Sequence, residues 1–334
     1  MKKTILFAIV ALVLVACGSE NRTFKVEGKL TNLDQGEFYV YSIDGGTSQI
    51  DTIKVTDGKF AYSIRCNSPA TLVVVFPNFS EQPVFAQPGK KVKIKGDASH
   101  LKELKITGTK DNELMNGFKV HAAELGPIEA EDYAEQFVND NPKSAAAAYV
   151  VGKYFIQNSH PDYPRALSMV ETLSQQQPDN GYLKQLAVWL APLAATSAGK
   201  TMPSFKAKDT AGNDINTATF RDAEVAIIST WAAWDYESVS LQRKLKQLKR
   251  KYGQRLQLMS ISLDGSLTEC KKIVDRDSLK WTTVCDEKMF ESPVAKQLAM
   301  TRTGDNIVMR RGKIVARGLN VNNIEEKTKG FFAN

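Results

Sequence analysis

The chain is poor in the side chains that most often carry reaction chemistry. Its three histidines, His100, His121 and His160, lie far apart with no helical i, i+4 partner, which excludes the two-histidine zinc helix. Its four cysteines, Cys17, Cys66, Cys270 and Cys285, include no C-x-x-C pair, so the simplest redox and zinc spacings are missing. There is no G-x-S-x-G and hence no nucleophile elbow. Gly199-Lys200-Thr201 ends like a phosphate loop, but Ala194 stands where the first glycine belongs and no strand precedes it. No metal and no cofactor are expected. Long apolar runs are also lacking: Ile5 to Val15 is about a dozen residues, short of the roughly 20 that a helix needs to cross hydrocarbon. Charge of one sign is scarce, since the formal +7 falls to +5 without Lys2 and Lys3. An excess that small describes a solvated surface and gives no reason to expect nucleic acid.

What is present begins with an address. Lys2 and Lys3 precede the apolar run, and Leu14-Val15-Ala16-Cys17 follows, the layout of a secretory signal peptide over residues 1–16. These residues resemble the bacterial lipoprotein motif. That resemblance implies cleavage after Ala16, acylation of Cys17, and a lipidated polar tether over 17–23 that holds the protein to a membrane of the cell envelope, the outer membrane being favoured and the face left open. Removing Cys17 leaves Cys66, Cys270 and Cys285, an odd number, so at least one thiol stays unpaired within the chain. All three are expected to be buried small hydrophobes rather than reactive groups.

At 334 residues and 43% hydrophobic content, the chain is long enough for two cores of ordinary size. Residues 24–109 alternate as strands do: Phe24 to Leu30, Glu37 to Ser42, Gln49 to Val55, Lys59 to Ile64, Thr71 to Phe76, Pro83 to Ala86 and Lys91 to Gly96. Asp57-Gly58 and Pro88-Gly89 mark turns between them. An antiparallel β-sandwich or barrel is expected, the sandwich being favoured. Residues 110–198 change to a helical period, cut by Gly126-Pro127, Asn141-Pro142, His160-Pro161 and Pro178-Asp179 into four or five short helices that form a connector. Residues 199–334 alternate strands and helices, with buried strands at Glu224 to Thr230 and Leu256 to Leu263 around a helix from Ser238 to Tyr252, which predicts an α/β fold with a parallel central sheet. The whole is an α+β multidomain chain.

The turns around Asp57 to Phe60 and Pro88 to Gly96 resemble a β-rich domain of unknown function that commonly precedes thioredoxin-like domains in Gram-negative lipoproteins. Gly199 to Phe205, Trp231-Ala-Ala-Trp234, Ser260 to Asp264, Trp281 and Arg311 to Arg317 in turn resemble the thioredoxin-like domains of alkyl hydroperoxide reductases and membrane-anchored thiol-disulfide oxidoreductases. The resemblance implies a dithiol just after the second tryptophan, at a helix N-terminus whose dipole stabilises thiolate. Asp235 and Ser238 hold those two places. It also implies a cis-proline opposite the dithiol, where Thr303-Gly304-Asp305 stands instead.

By that resemblance, the first departure removes the attacking and resolving thiolates of disulfide exchange, and the second removes the residue that presents backbone to a bound peptide strand. No catalytic residue is therefore assigned, and Asp235 is expected to cap the helix. Trp231 is expected in the core, while Trp234, Tyr236 and Glu237 are candidates for a shallow surface that holds a peptide or protein partner. The expected function is a membrane-anchored lipoprotein with a redox-inactive thioredoxin-like domain in a binding or assembly role. Two alternatives stand beside it: a thiol-disulfide oxidoreductase or peroxidase-like enzyme working through Cys270 or Cys285, and an accessory subunit of an outer-membrane uptake complex. The cationic face of the helix from Ser238, carrying Arg243, Lys244, Lys246, Lys249, Arg250 and Lys251, is expected to be solvated rather than to touch anionic headgroups.

Overall fold

The structure, a computed structural model, describes residues 22–158 and 161–333. The signal peptide, Cys17, nearly all of the tether and His160 lie outside the described residues. The chain divides into two compact units, Met1–Val188 and Trp189–Asn334.

In the first unit, alternating sequence becomes eight strands: β1 (Thr23–Thr31), β2 (Gln35–Ser42), β3 (Asp51–Thr56), β4 (Lys59–Arg65), β5 (Ala70–Val75), β6 (Glu81–Ala86), β7 (Lys91–Asp97) and β8 (Lys105–Thr107). They pair in one continuous sheet of order β6-β5-β2-β3-β4-β1-β7-β8. The expected two-sheet sandwich is corrected here, as is its purely antiparallel pairing. β1 is antiparallel to β4 on one side and parallel to β7 on the other, which joins the two halves of the domain into a single ladder. The sheet curls nearly into a barrel around one core to which all eight strands contribute, with the Phe38 ring edge-on to Phe60 and Phe76 at 5.3 and 4.8 Å between centroids. Gly28 has no side chain because the Phe60 ring fills the space where a Cβ would lie. Asp57-Gly58 turns the β3–β4 hairpin with φ of 50° and 69°, the doubly left-handed geometry that this dipeptide favours.

A curled sheet that does not close leaves two open edges, here β6 and β8. Five helices follow: α1 (Lys110–Ala122), α2 (Pro127–Asp140), α3 (Ala145–Val151, continued by a wider turn over Gly152–Ile156), α4 (Tyr163–Gln176) and α5 (Gly181–Ala195), the last containing the division between units. α1 serves both edges. Asn112 accepts the Phe85 N–H of β6 at 3.0 Å and donates to the Phe85 carbonyl at 2.9 Å. One turn on, Asn116 accepts the Ile106 N–H of β8 at 3.1 Å and donates to its carbonyl at 2.6 Å. Each amide thus does for one edge residue what a neighbouring strand would do. Lys119, a further turn along, donates to Gln82 at 2.7 Å and to the Leu104 carbonyl at 3.1 Å, and burial pushes its ammonium down to about 8.

The second unit opens with a small hairpin, β9 (Lys206–Lys208) and β10 (Asp214–Asn216), and a short helix α6 (Ala218–Arg221). Then come β11 (Val225–Trp231), α7 (Tyr236–Tyr252), β12 (Leu256–Ser262), α8 (Leu267–Arg276), β13 (Thr282–Val284), α9 (Pro293–Gln297), β14 (Asn306–Arg310), β15 (Lys313–Arg317) and α10 (Val321–Phe332). The strands form a five-stranded mixed sheet of order β13-β12-β11-β14-β15. Its parallel part is β13-β12-β11, and β14 runs antiparallel to β11, so the expected parallel centre covers only one half. All residues of the central β11 are buried, and the period of 2 sorts them. Val225 and Ile227 meet Leu241, Leu245 and Leu248 of α7 and Ile324 of α10, whereas Ala226 and Ile228 meet Met202, Phe205, Val294 and Leu298 on the other face. Helix-covered faces on both sides make this unit α/β.

Replacing Asn112 by alanine leaves a buried edge N–H and carbonyl without partners, each worth about 1–3 kcal/mol. Urea unfolding of the first unit should therefore show a loss of at least about 1 kcal/mol for Asn112→Ala, and a smaller one for the less buried Asn116→Ala. A change within about 0.5 kcal/mol, as for ordinary surface substitutions, would count against the edge-pairing role.

Candidate functional site

β11 runs to the fully buried Trp231, and the chain then leaves the sheet through Ala232, Ala233 and Trp234 to enter α7 at Asp235. The loop is tied from three sides. The Ala233 N–H donates to Asp264 at 2.9 Å, from just beyond β12. The buried Ser238 hydroxyl accepts the Ala232 N–H at 3.2 Å and donates to the Asp235 carbonyl at 2.9 Å. Asp235 is the N-cap, accepting the Glu237 N–H at 3.3 Å. Its carboxyl lies below the usual carboxylate range, chiefly because the Thr303 hydroxyl donates to it and then through bonds from Ser238 and the backbone of the first turn.

The approach that holds Thr303-Gly304-Asp305 lies directly opposite. Gly304 has a φ of 71°, its N–H donates to the Thr230 carbonyl at 3.0 Å, and a Cβ built on it would stand 3.9 Å from that of Ser238. Asp305 points inward. Burial pushes its carboxyl up, against the pull of Arg317, whose guanidinium is 3.7 Å away. Asp235, Ser238 and Gly304 therefore converge on one spot, and Glu237 is exposed beside it.

The chemistry of that spot is limited by what its groups already do. The Ser238 oxygen is buried and bonded to loop backbone on both sides, and the carboxylate beside it, Asp235, is held below its usual range and so is a poor base. Asp235 already occupies the positive end of the α7 dipole, which leaves little attraction for another anion. What faces outward is aromatic: Trp234 is 60% exposed and Tyr236 75%, in contrast to Trp231 at 0%.

Other sequence candidates fall elsewhere. Four of the α7 cations are engaged within the unit: Arg243 pairs with Asp277 at 2.9 Å, Lys244 with Glu325 at 2.8 Å, Lys246 with the Asp277 carbonyl, and Lys249 with the Leu256 carbonyl at 2.6 Å. His121 packs its ring against Tyr133 at 4.4 Å. Among the described residues no group of three or more His, Cys, Asp or Glu side chains could hold a metal ion, and no helix is long and apolar enough to cross a membrane. A broad groove between α1 and α2 is floored by Phe118 stacked on Tyr133 at 5.3 Å, an arrangement that helix packing explains. Cys66 and Cys270 are buried as expected, but Cys285 is only half-buried and sits beside Cys270. Sequence reading separated those two thiols because one lies on α8 and the other just past β13; only the sheet brings them together.

A family model described as "Domain of unknown function (DUF4369)" matches residues 24–115. Nothing among curated proteins matches the chain. Among solved structures, a thiol-disulfide oxidoreductase from Bacteroides fragilis is similar, with 27% identity and a TM-score of 0.36, over 39% of this chain and 98% of that one. The thioredoxin domain of a thiol-disulfide oxidoreductase from Bacteroides vulgatus is similar with 21% identity and a TM-score of 0.33, over 40% of this chain and 98% of that one.

The cap makes a pH-dependent prediction. Because the folded carboxyl of Asp235 lies below its ordinary 3.8, the stabilisation is complete above that value and is lost as pH falls through the folded one. Asp235→Ala should cost about 1 kcal/mol at pH 7 in denaturant unfolding, and the gap from wild type should shrink below about pH 4. A gap that is absent at neutral pH, or that widens on acidification, would show that the carboxylate does not hold the helix start.

Proposed function

We propose that the second unit is a thioredoxin-like binding module whose W-A-A-W loop carries no electron chemistry and presents Trp234, Tyr236 and Glu237 to an extended peptide or protein partner. The observation that carries this reading is the pairing of two large exposed rings with a loop whose Ala232 and Ala233 N–H groups and Asp235 carboxylate are already bonded. Rings of this kind supply contact area at low conformational cost and find hydrogen-bond partners at their polar edges. Glu237, exposed in the first turn, adds a preference for a basic residue next to the segment that covers the rings.

The same reading places the protein in the cell envelope, held by acyl chains on Cys17. Support comes from the order of charge, apolar run and Leu14-Val15-Ala16-Cys17 at the start of the chain. Two or more chains bind durably where one binds only marginally, at about 0.8 kcal/mol per buried CH₂. Cells fed a labelled fatty acid should incorporate it into the wild-type protein and not into Cys17→Ala; equal labelling of both would remove the anchor.

The binding role is tested with the full-length protein in detergent against a library of unstructured peptides. Peptides selected by the wild type should bind Trp234→Ala or Tyr236→Ala at least tenfold more weakly in fluorescence titrations, about 1.4 kcal/mol or more. Undiminished binding by both variants would reject this surface.

A further inference from the structure

The loop has lost its sulfur, yet a pair of thiols lies immediately behind it. Cys270, on α8, is fully buried, and Cys285, the residue after β13, is half-buried. Their side chains lie together in one packed cluster, close enough to perturb each other's ionisation, with the Ser262 hydroxyl at the end of β12 near both. The Glu287 N–H donates to Cys285 as well. Trp231, Val239, Ile273 and Val274 pack around the pair. The Trp231 indole N–H is the one buried side-chain polar atom among the described residues that lacks a hydrogen-bond partner.

The two thiols are unequal. The adjoining Cys270 thiol, with help from the Glu287 N–H, holds Cys285 below the ordinary thiol value, so more of it is thiolate at neutral pH. The same contact, together with burial, pushes Cys270 up. The partly accessible sulfur is thus the nucleophilic one, and the enclosed sulfur stays protonated until it is needed. That division of labour is what stepwise disulfide exchange requires.

We propose that Cys270 and Cys285 form a dithiol–disulfide couple that reduces an external disulfide, with Cys285 attacking and Cys270 resolving. The Cys285 thiolate attacks one sulfur of R–S–S–R′, forming a Cys285–S–R bond and expelling R′–S⁻. Cys270 then loses its proton and attacks the Cys285 sulfur, forming the Cys270–Cys285 bond and expelling R–S⁻. The substrate disulfide gains two electrons and takes up the two protons that the cysteines lose, and an external dithiol reverses the cycle. To form the bond, the two neighbouring sulfurs must close to about 2 Å. The chemical class of substrate is an accessible disulfide on a small molecule or a flexible segment, since Cys285 is not fully exposed.

This couple is independent of the binding role given to Trp234 and Tyr236, whose test involves no sulfur. The exchange is tested with full-length protein in detergent, reduced, desalted, equilibrated in glutathione buffers of stepped potential, quenched by alkylation and mapped by peptide mass spectrometry. Wild-type protein should lose the Cys270 and Cys285 alkylation sites together and yield one linked peptide pair, while Cys66 remains alkylatable after denaturation. Cys270→Ser should accumulate glutathione on Cys285, and Cys285→Ser should react at least tenfold more slowly than wild type. Absence of the linked pair in the wild type, a measurement that needs no variant to fold, would overturn the proposal. So would glutathione addition to Cys270 in Cys285→Ser at the wild-type rate.

Discussion

Buried backbone groups must be paired, and in this protein side chains complete the pairing wherever the sheets stop. The first unit depends on it most. Its single curled sheet ends at β6 and β8, and an unsatisfied edge in contact with a helix would cost several groups their partners. Asn112 and Asn116, one turn apart on α1, each offer an amide whose acceptor and donor match one strand residue. An aspartate has no donor for the carbonyl and a leucine has neither group. The helix is thereby fixed in register against two strands at once, and the hydrophobic core beneath can be shared by the whole sheet.

The loop of the second unit follows the same logic on a smaller scale. β11 ends, and Ser238, Asp235 and Asp264 take over the backbone groups that the sheet no longer pairs. A thiol would pair these groups poorly, being a weak donor and acceptor. Oxygen at Asp235 and Ser238 thus holds the loop by stronger bonds than sulfur would. Asp264 also links this loop to the thiol pair, because the Ser262 hydroxyl that reaches Cys270 and Cys285 donates to Asp264 at 2.6 Å.

Much of the fold was legible in the sequence, because alternation and helical period report burial directly. The buried strands at Val225 and Leu256, the helix between them and the Asp57-Gly58 hairpin all follow from local pattern. The sandwich did not survive, since strand order depends on pairings such as β1 with β7 that lie far apart in the chain and leave no local mark. β8 escaped for a related reason: three residues are too few to alternate. At the site, the convergence of Asp235, Ser238 and Gly304 was legible only because several short motifs occur in a familiar order. The neighbouring thiols were not, because spacing along the chain says nothing about two residues that a sheet brings together. Nor could composition tell that four of the six α7 cations reach Asp277, Glu325 and nearby carbonyls.

The position of β1 has a mechanical meaning. It is the first strand of the described chain, yet it lies inside the sheet, flanked by β4 on one side and β7 on the other. Tension transmitted from the N-terminal end therefore enters at an interior strand instead of peeling away a border one. Yielding to such a pull would require two ladders to slide at once.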